Sequence, residues 1–226
     1  MLEIDLTGRT ALVTGATQGI GKSIAELLQK AGANLILTGT KNTEIESLNR
    51  ASKKAGIQDI RYLQLDLADE ASTQRFFEEL TNYSSIDICV NNAGINIVSE
   101  FGSTTEQDFD LINQINLRGP YQLLKAVTPR MVKHHYGRIV NVASIWSVVT
   151  RKGRSLYTTS KNGLVGLTKT LAVELASQNV LVNAVSPGFT LTELTKRTNS
   201  KAELDSISSN IPIGRMADPD EIANLI

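Results

Sequence analysis

The sequence predicts one α/β domain built on a doubly wound parallel sheet in three αβα layers. Two observations carry that reading. Short, nearly continuous apolar runs alternate with longer segments of helical periodicity, and a glycine-rich turn follows the first run. The 226 residues suit one well-buried domain better than two. In chain order, the first strand is expected at 10–14 (Thr-Ala-Leu-Val-Thr), feeding the glycine turn and a helix over 19–31. The second, 34–38, leads to a helix over 43–55, and the third, 60–65, to a helix over 70–81. The fourth, 86–90, precedes a long helical stretch over 105–135 with a break near Ile115. The fifth, 138–142, is followed by a helix over 156–177, and the sixth, 180–185, ends at Pro187-Gly188. Strands so uniformly apolar suit burial on both faces. Residues 188–215 are mostly polar with weak periodicity and are expected to form a mobile flap. From Pro219 the chain starts another helix and stops at Ile226, which leaves a unit unfinished, so a last strand is expected to be missing.

Composition narrows the classes of function. Lys plus Arg number 23, as do Asp plus Glu, so no overall field recruits nucleic acid or an anionic membrane. The single cysteine, Cys89, sits in an apolar run, which excludes a disulfide framework and suggests a buried thiol. His134 and His135 are the only histidines, so no metal centre is expected, and beside the breaker Gly137 they read as a solvent-facing helix end. The N-terminal Met-Leu-Glu-Ile-Asp-Leu has neither a basic stretch nor a long apolar run, and a cytoplasmic protein is expected.

After the first strand comes Thr14-Gly15-Ala16-Thr17-Gln18-Gly19-Ile20-Gly21. Glycines there permit a tight turn and let backbone approach a pyrophosphate at the positive end of a helix, which makes the fold Rossmann-type. The spacing is Gly-x-x-x-Gly-x-Gly and departs from the general dinucleotide fingerprint, yet helix packing alone does not require three glycines. In such folds the second strand ordinarily ends near a carboxylate that holds the ribose 2′-hydroxyl of NAD. Here it runs Leu37-Thr38-Gly39-Thr40-Lys41, and the first carboxylate is Glu44. Hydroxyls beside a cation suit a 2′-phosphate better, so NADP(H) is the expected cofactor, with NAD(H) as the alternative.

Tyr157 and Lys161 stand four apart, on one face of a helix, with Ser144 thirteen residues before the tyrosine. A free tyrosine titrates near about pH 10. An ammonium within about 4–6 Å favours the phenolate and brings the phenol toward acid/base work at neutral pH. The trio therefore points to carbonyl/alcohol oxidoreduction. The spacing is common by chance, and its weight comes from its place after the fifth strand beside a dinucleotide turn.

Together these motifs resemble the short-chain dehydrogenase/reductase family over essentially the whole chain. The signals run in order: the turn at 14–21, Asn91-Asn92-Ala93-Gly94 after the fourth strand, Asn116 within Ile115-Asn116-Leu117, Ser144 with Tyr157 and Lys161, and Pro187-Gly188. The likeness is nearest to the 3-oxoacyl-carrier-protein reductase-like branch, including Ile211-Pro212-Ile213-Gly214-Arg215. The resemblance implies that Tyr157 is the proton donor and that Lys161 lowers its pKa and binds the nicotinamide ribose. It implies that Ser144 orients the carbonyl and that Asn116 holds a water chain. It further implies cofactor contacts from Gly15, Thr17, Gln18, Gly19, Ile20 and Gly21, with Thr40 and Lys41 at the 2′ position. Asp66 and Leu67 would meet the adenine, Asn91, Asn92, Ala93 and Gly94 would line the cofactor, and Pro187, Gly188 and Thr190 would border the nicotinamide. Members of the family continue into a seventh strand that often helps build a tetramer. Apolar positions on the two long helices, Leu117, Leu123, Leu164, Leu167 and Leu171, suggest a homo-oligomer, tetramer or dimer.

The segment 145–156 should border the substrate pocket. Its Arg151 and Arg154 could clamp a carboxylate or phosphate, or they form a solvated basic loop or subunit contact. Trp146 is either a pocket wall or core filler. Arg130 and Lys133 would suit an acidic carrier protein, while Gln178 stands where a second basic anchor is expected. The expected substrate is a small-molecule carbonyl or alcohol, best a 3-oxoacyl group on acyl carrier protein or coenzyme A, with a keto-sugar or hydroxy acid as the alternative. A scaffold that keeps the cofactor without chemistry is the competing class. Its usual mark is loss of Ser144, Tyr157 or Lys161, and all three are present.

Overall fold

Residues 4–226 are described by the structure, a computed structural model. The elements are β1 (Thr10–Val13), α1 (Gly19–Lys30), β2 (Asn34–Gly39), α2 (Asn42–Lys54), β3 (Ile60–Gln64), α3 (Glu70–Leu80), β4 (Ile88–Asn91), α4 (Glu106–Asn113), α5 (Gly119–Lys133), β5 (Gly137–Val142), α6 (Ser155–Leu175), β6 (Val180–Val185), α7 (Glu193–Thr198), α8 (Lys201–Ser209) and α9 (Pro219–Ala223). Six strands form one sheet in the order β3-β2-β1-β4-β5-β6, and every neighbouring pair is parallel. The order reverses between β1 and β4, and connections that diverge there leave a crevice at the carboxyl ends of the strands.

Alternation along each strand builds two cores. Leu12, Ile36, Cys89, Ile139 and Val182 belong to one, with Phe76 of α3 and Leu123, Val127 and Met131 of α5. Ala11, Val13, Leu35, Leu37, Ile88 and Val90 belong to the other, with Ile24 and Ala25 of α1 and Ala223 of α9. Over β1, β2 and β4 both faces are covered, and these strands are apolar at nearly every position, whereas the edge strand β6 alternates buried and exposed residues. Each fully buried Leu or Ile contributes on the order of 2 kcal/mol. The exception in the fourth run is Asp87, which is buried but paired: Arg9 lies 3.1 Å away and the Thr10 amide donates to it at 2.9 Å. The β4 ladder starts after this residue, at Ile88, two residues later than the apolar run implies.

The long helical stretch is divided as expected. Between α4 and α5 the chain makes a π-helical turn over Gln114–Arg118, and Pro120 in the first turn of α5 suits the restart. The segment expected as an irregular flap instead contains α7 and α8. These helices are set by caps rather than by an apolar stripe: Thr192 accepts from the Thr195 amide at 3.2 Å, and Ser200 and Glu203 form a capping box. The base of the segment is tied down where Leu191 and Ala217 exchange backbone bonds with the opposing chain, Leu191 donating to Ala217 at 2.8 Å and Ala217 to Phe189 at 3.0 Å. At the end of the chain, the helix expected from Pro219 is α9, capped by Asp218 and Glu221. β6 is an edge of the described sheet.

Cys89 is fully buried, and burial pushes its thiol up to about 12. His134 and His135 lie exposed at the end of α5. Among the described residues no group of His, Cys, Asp and Glu could hold a metal ion, and no helix is long and apolar enough to cross a membrane. Leu123 and Leu164 are core residues, 2% and 1% exposed, so they cannot supply a surface between copies of the chain. On the same helices Tyr121 and Val173 are the exposed apolar groups.

Candidate active site

The crevice at the β1/β4 switch point is a cleft of 380 Å³ lined by Gly15, Thr17, Gln18, Gly19, Ile20, Thr40, Asp66, Leu67, Asn92, Ala93 and Gly94, all predicted from sequence. The glycine turn is shaped for close approach. Gly15 and Gly19 adopt φ of +63° and +56°, a region that disfavours any side chain. A Cβ on Gly21 would lie 2.3 Å from the Gly15 carbonyl oxygen, so this glycine is required for helix packing and does not itself line the cleft. Thr14 and Asn92 hold the turn against the loop after β4. The Thr14 hydroxyl accepts from the amides of Asn92 and Ala93, each at 3.0 Å. The Asn92 amide nitrogen donates to the carbonyls of Thr14 and Gly15 at 2.9 and 3.1 Å. α1 begins without a side-chain cap and without an acid in its first turn, so its leading N–H groups remain open toward the cleft for an anion. These features fit the pyrophosphate of a dinucleotide.

Thr40 lines the cleft, whereas Lys41 does not; it is the exposed residue preceding α2 and, among the described residues, makes no ion pair. Pro187, Gly188 and Thr190 also stand outside the lining. The Pro187 carbonyl accepts from Ile145 at 2.8 Å, and Thr190 is buried in a bridge with Ala217. From the same segment Thr192 and Glu193 reach the cleft instead, Thr192 coming within 3.3 Å of where a Cβ on Gly19 would stand. Gly39, Leu65, Ile95 and Ile115 are further lining residues that sequence reasoning missed. The hydroxyl-rich run after Pro187-Gly188 was the available signal for Thr192.

Ser144, Tyr157, Lys161 and Asn116 converge next to this cleft. Ser144 stands two residues beyond the end of β5 and caps the short turn Ile145–Ser147, its oxygen accepting from the Trp146 amide at 3.3 Å. That bond occupies a lone pair and leaves the hydroxyl hydrogen free. The Ser144 hydroxyl is near enough to the Tyr157 phenol to favour its phenolate form. The Lys161 Nζ lies 5.7 Å from the Tyr157 ring centroid and donates to the Val142 carbonyl at 2.8 Å. Asn116, on the π turn and fully buried, donates to the Ser160 hydroxyl at 3.1 Å. A Cβ on Gly94 would come within 3.2 Å of the Asn116 Oδ1 and 3.4 Å of the Lys161 Nζ, which places these groups at the end of the cofactor cleft.

The charges behave differently from expectation. Burial pushes the Tyr157 phenol above its ordinary value, with the Ser144 hydroxyl and the Arg154 charge pulling the other way. The Lys161 ammonium is turned to the Val142 carbonyl and is itself desolvated, which brings it down to about 8. In this state Ser144 and Arg154, not Lys161, favour the phenolate. Trp146 resolves as part of an aromatic pair with Phe189, ring centroids 5.9 Å apart, and Arg151 and Arg154 stack near it at 5.4 and 5.7 Å.

A parallel sheet with a glycine-lined dinucleotide cleft at its switch point and a Ser/Tyr/Lys group at the cleft's end defines the class of NAD(P)-dependent oxidoreductases. The chain belongs to the short chain dehydrogenase family, whose family model matches residues 9–203. It is 38% identical over 227 residues to the 3-oxoacyl-[acyl-carrier-protein] reductase FabG of Aquifex aeolicus, covering 100% of this chain and 91% of that one. It is 36% identical to the FabG of Rickettsia prowazekii, covering 97% and 88% respectively. Among solved structures, one from Beutenbergia cavernae described as an NAD(P)-dependent gluconate 5-dehydrogenase, with NADP bound at low occupancy, superposes with a TM-score of 0.89. It shares 32% identity, over 99% of this chain and 90% of that one. One from Agrobacterium tumefaciens described as a gluconate dehydrogenase gives 0.90 at 29% identity, over 100% and 89%.

Proposed function

We propose that the chain is a cytoplasmic NADP(H)-dependent reductase in which Tyr157 exchanges a proton with the oxygen of a ketone or secondary alcohol. The observation that carries this is the Ser144–Tyr157 hydroxyl pair at the end of a glycine-lined cleft, with the buried Lys161 beside it. The bound nicotinamide supplies or takes the hydride. Gly15, Gly19 and the start of α1 would hold the pyrophosphate, Asp66 and Leu67 the adenine end, and Thr40 with the exposed Lys41 a 2′-phosphate. In reduction, charge builds on the carbonyl oxygen, and the hydroxyl groups of Ser144 and Tyr157 turn their hydrogens to it and stabilise it there. Tyr157 then gives up its proton. Lys161, brought to about 8, can lose and regain a proton near neutral pH and so refill the phenol, with Asn116 ordering water at Ile95.

Relatives named as 3-oxoacyl-[acyl-carrier-protein] reductases favour a 3-oxoacyl thioester as substrate, with Arg130 and Lys133 facing the carrier. A small hydroxy or keto acid is the second reading, favoured by the buried Arg154, whose Nε has no acceptor among the described residues. The segment 188–215 closes over the substrate, and the chain works as a homo-oligomer. The test is a panel of carbonyl substrates, acetoacetyl-coenzyme A among them, followed by loss of reduced-cofactor absorbance. Turnover with NADPH at higher kcat/KM than with NADH is expected, and absence of any carbonyl-dependent oxidation would overturn the reading.

A further inference from the structure

We propose that Arg154, with Arg151 beside it, forms a subsite for an anionic group of the substrate, a carboxylate or a phosphate, a few bonds from the reacting carbonyl. The inference rests on the proton-transfer reading above and adds a charge requirement to it, deciding between its two substrate readings.

Arg154 is 7% exposed, and among the described residues its side chain makes neither a hydrogen bond nor an ion pair. Its Nε is buried without an acceptor, and the Ser155 hydroxyl next to it is buried without a partner as well. A core arginine held for structure saturates its five donors, and a solvated arginine stays exposed. Arg154 does neither, while Arg151, which is exposed, fits the second case on its own. Yet Arg151 is turned toward the same place: its guanidinium carbon is 5.4 Å from the Trp146 ring and 5.6 Å from that of Phe189, and Arg154 is 5.7 Å from Trp146. Two guanidinium groups thus flank one aromatic wall, and no carboxylate stands between them among the described residues. The nearest acid in the adjoining loop, Glu100, is committed to Lys152 at 2.7 Å.

The position ties this charge to the reaction. Gly153, at φ +78°, makes the turn that delivers Arg154 to the start of α6, and its carbonyl accepts from the Ser99 amide at 3.2 Å, pinning the loop. Arg154 is one helical turn before Tyr157, near enough for its charge to act on the phenol. An anion at Arg154 therefore lies beside a carbonyl held by Tyr157. The phosphate of a carrier arm is many bonds from its thioester and does not bring charge there, whereas a hydroxy acid, keto acid or short phosphate ester does.

The experiment measures binding, so that it does not depend on turnover. Tyr157→Phe loaded with NADPH is titrated by calorimetry with 3-oxobutanoate against 3-oxobutanamide, and with dihydroxyacetone phosphate against dihydroxyacetone. At least one charged member is expected to bind about tenfold or more tighter than its neutral partner, and the pair that does so identifies carboxylate or phosphate. Arg154→Gln in the same background is expected to erase that preference while leaving the neutral ligands and NADPH within about twofold, and Arg154→Lys to restore part of it. Equal binding of charged and neutral members, a preference that survives Arg154→Gln, or equal weakening of both members would overturn the subsite. The charged-to-neutral comparison needs no arginine variant, so poor folding of Arg154→Gln cannot shelter the proposal. Failure of the Tyr157 reading shows elsewhere, as unchanged turnover in Tyr157→Phe.

Discussion

The Asn116 side chain clamps the backbone of Ile95 from both sides: its Oδ1 accepts from the Ile95 amide at 2.9 Å and its Nδ2 donates to the Ile95 carbonyl at 2.8 Å. The same Nδ2 donates to Ser160 on α6. One side chain therefore joins the loop after β4, the π turn and the helix carrying Tyr157 and Lys161. The π turn is what makes this reachable, since inserting a residue rotates the following chain and swings Asn116 inward. Asn116→Ala should lower stability by about 1–2 kcal/mol in urea unfolding, because it leaves the half-buried backbone groups of Ile95 and the hydroxyl of Ser160 without their partner. It should also weaken NADPH binding, since the loop it holds carries Ala93 and Gly94. A variant as stable as the parent would show that the clamp is dispensable.

Replacing Gly21 with alanine tests the glycine turn. The added Cβ would stand 2.3 Å from the Gly15 carbonyl oxygen, a backbone atom that cannot swing aside, and 2.5 Å from the Asn92 Nδ2, which is itself bonded to the turn. The turn must shift, which separates it from Asn92 and misdirects the start of α1. Fluorescence titration should show NADPH affinity reduced by at least about tenfold, with a melting temperature lowered by several degrees. Unaltered affinity would mean that the turn relaxes without cost.

Tyr157→Phe removes the acid and keeps the ring. A general acid is worth about 100- to 10,000-fold, and kcat is expected to fall within that range. NADPH affinity should stay within about twofold, because the phenol is reached after the cofactor cleft and does not line it. Steady-state rates alongside direct cofactor titration separate the two, and a kcat that does not fall would remove Tyr157 from the reaction.

Much of this was readable from sequence because the determinants are local. An apolar run covered on both faces, such as 34–38, reads as a strand without further context, and the glycines of the turn 14–21 are demanded by backbone geometry. The helices α7 and α8 escaped because they rest on caps, at Thr192 and in the Ser200–Glu203 box, rather than on an apolar stripe, and a cap carries no periodic signal. Thr192 and Glu193 reach the cleft only because Phe189 and Leu191 bond to Ala217, a pairing across more than twenty residues. The charge on Tyr157 was misjudged for a related reason. Helical spacing places Lys161 near the phenol, but the Val142 carbonyl, on another element, decides where its ammonium points. Arg154 illustrates the same limit: its type was visible in the sequence, and its burial was not.

Lys161 supplies a prediction whose sign can be worked out. The ammonium is about 4% exposed and burial brings it from 10.5 down to about 8, so the folded state holds this proton less tightly than the unfolded state. Below pH 8 the residue is charged in both states and its desolvation counts fully against folding. Between pH 8 and 10.5 the folded protein has released the proton while the unfolded chain still binds it, so stability attributable to Lys161 rises with pH across that window. The span of the shift corresponds to about 3 kcal/mol. Lys161→Met keeps the aliphatic stem and removes the charge, at the cost of about 1 kcal/mol for the lost donor to the Val142 carbonyl. Urea unfolding of both proteins at several pH values should therefore show the variant more stable at pH 7 in the absence of cofactor. The gap should close and reverse as pH approaches 10.5, even though the variant is inactive throughout. A difference in stability that does not change with pH would show that the buried ammonium is not destabilising, and that its proton is not available near neutrality to refill Tyr157.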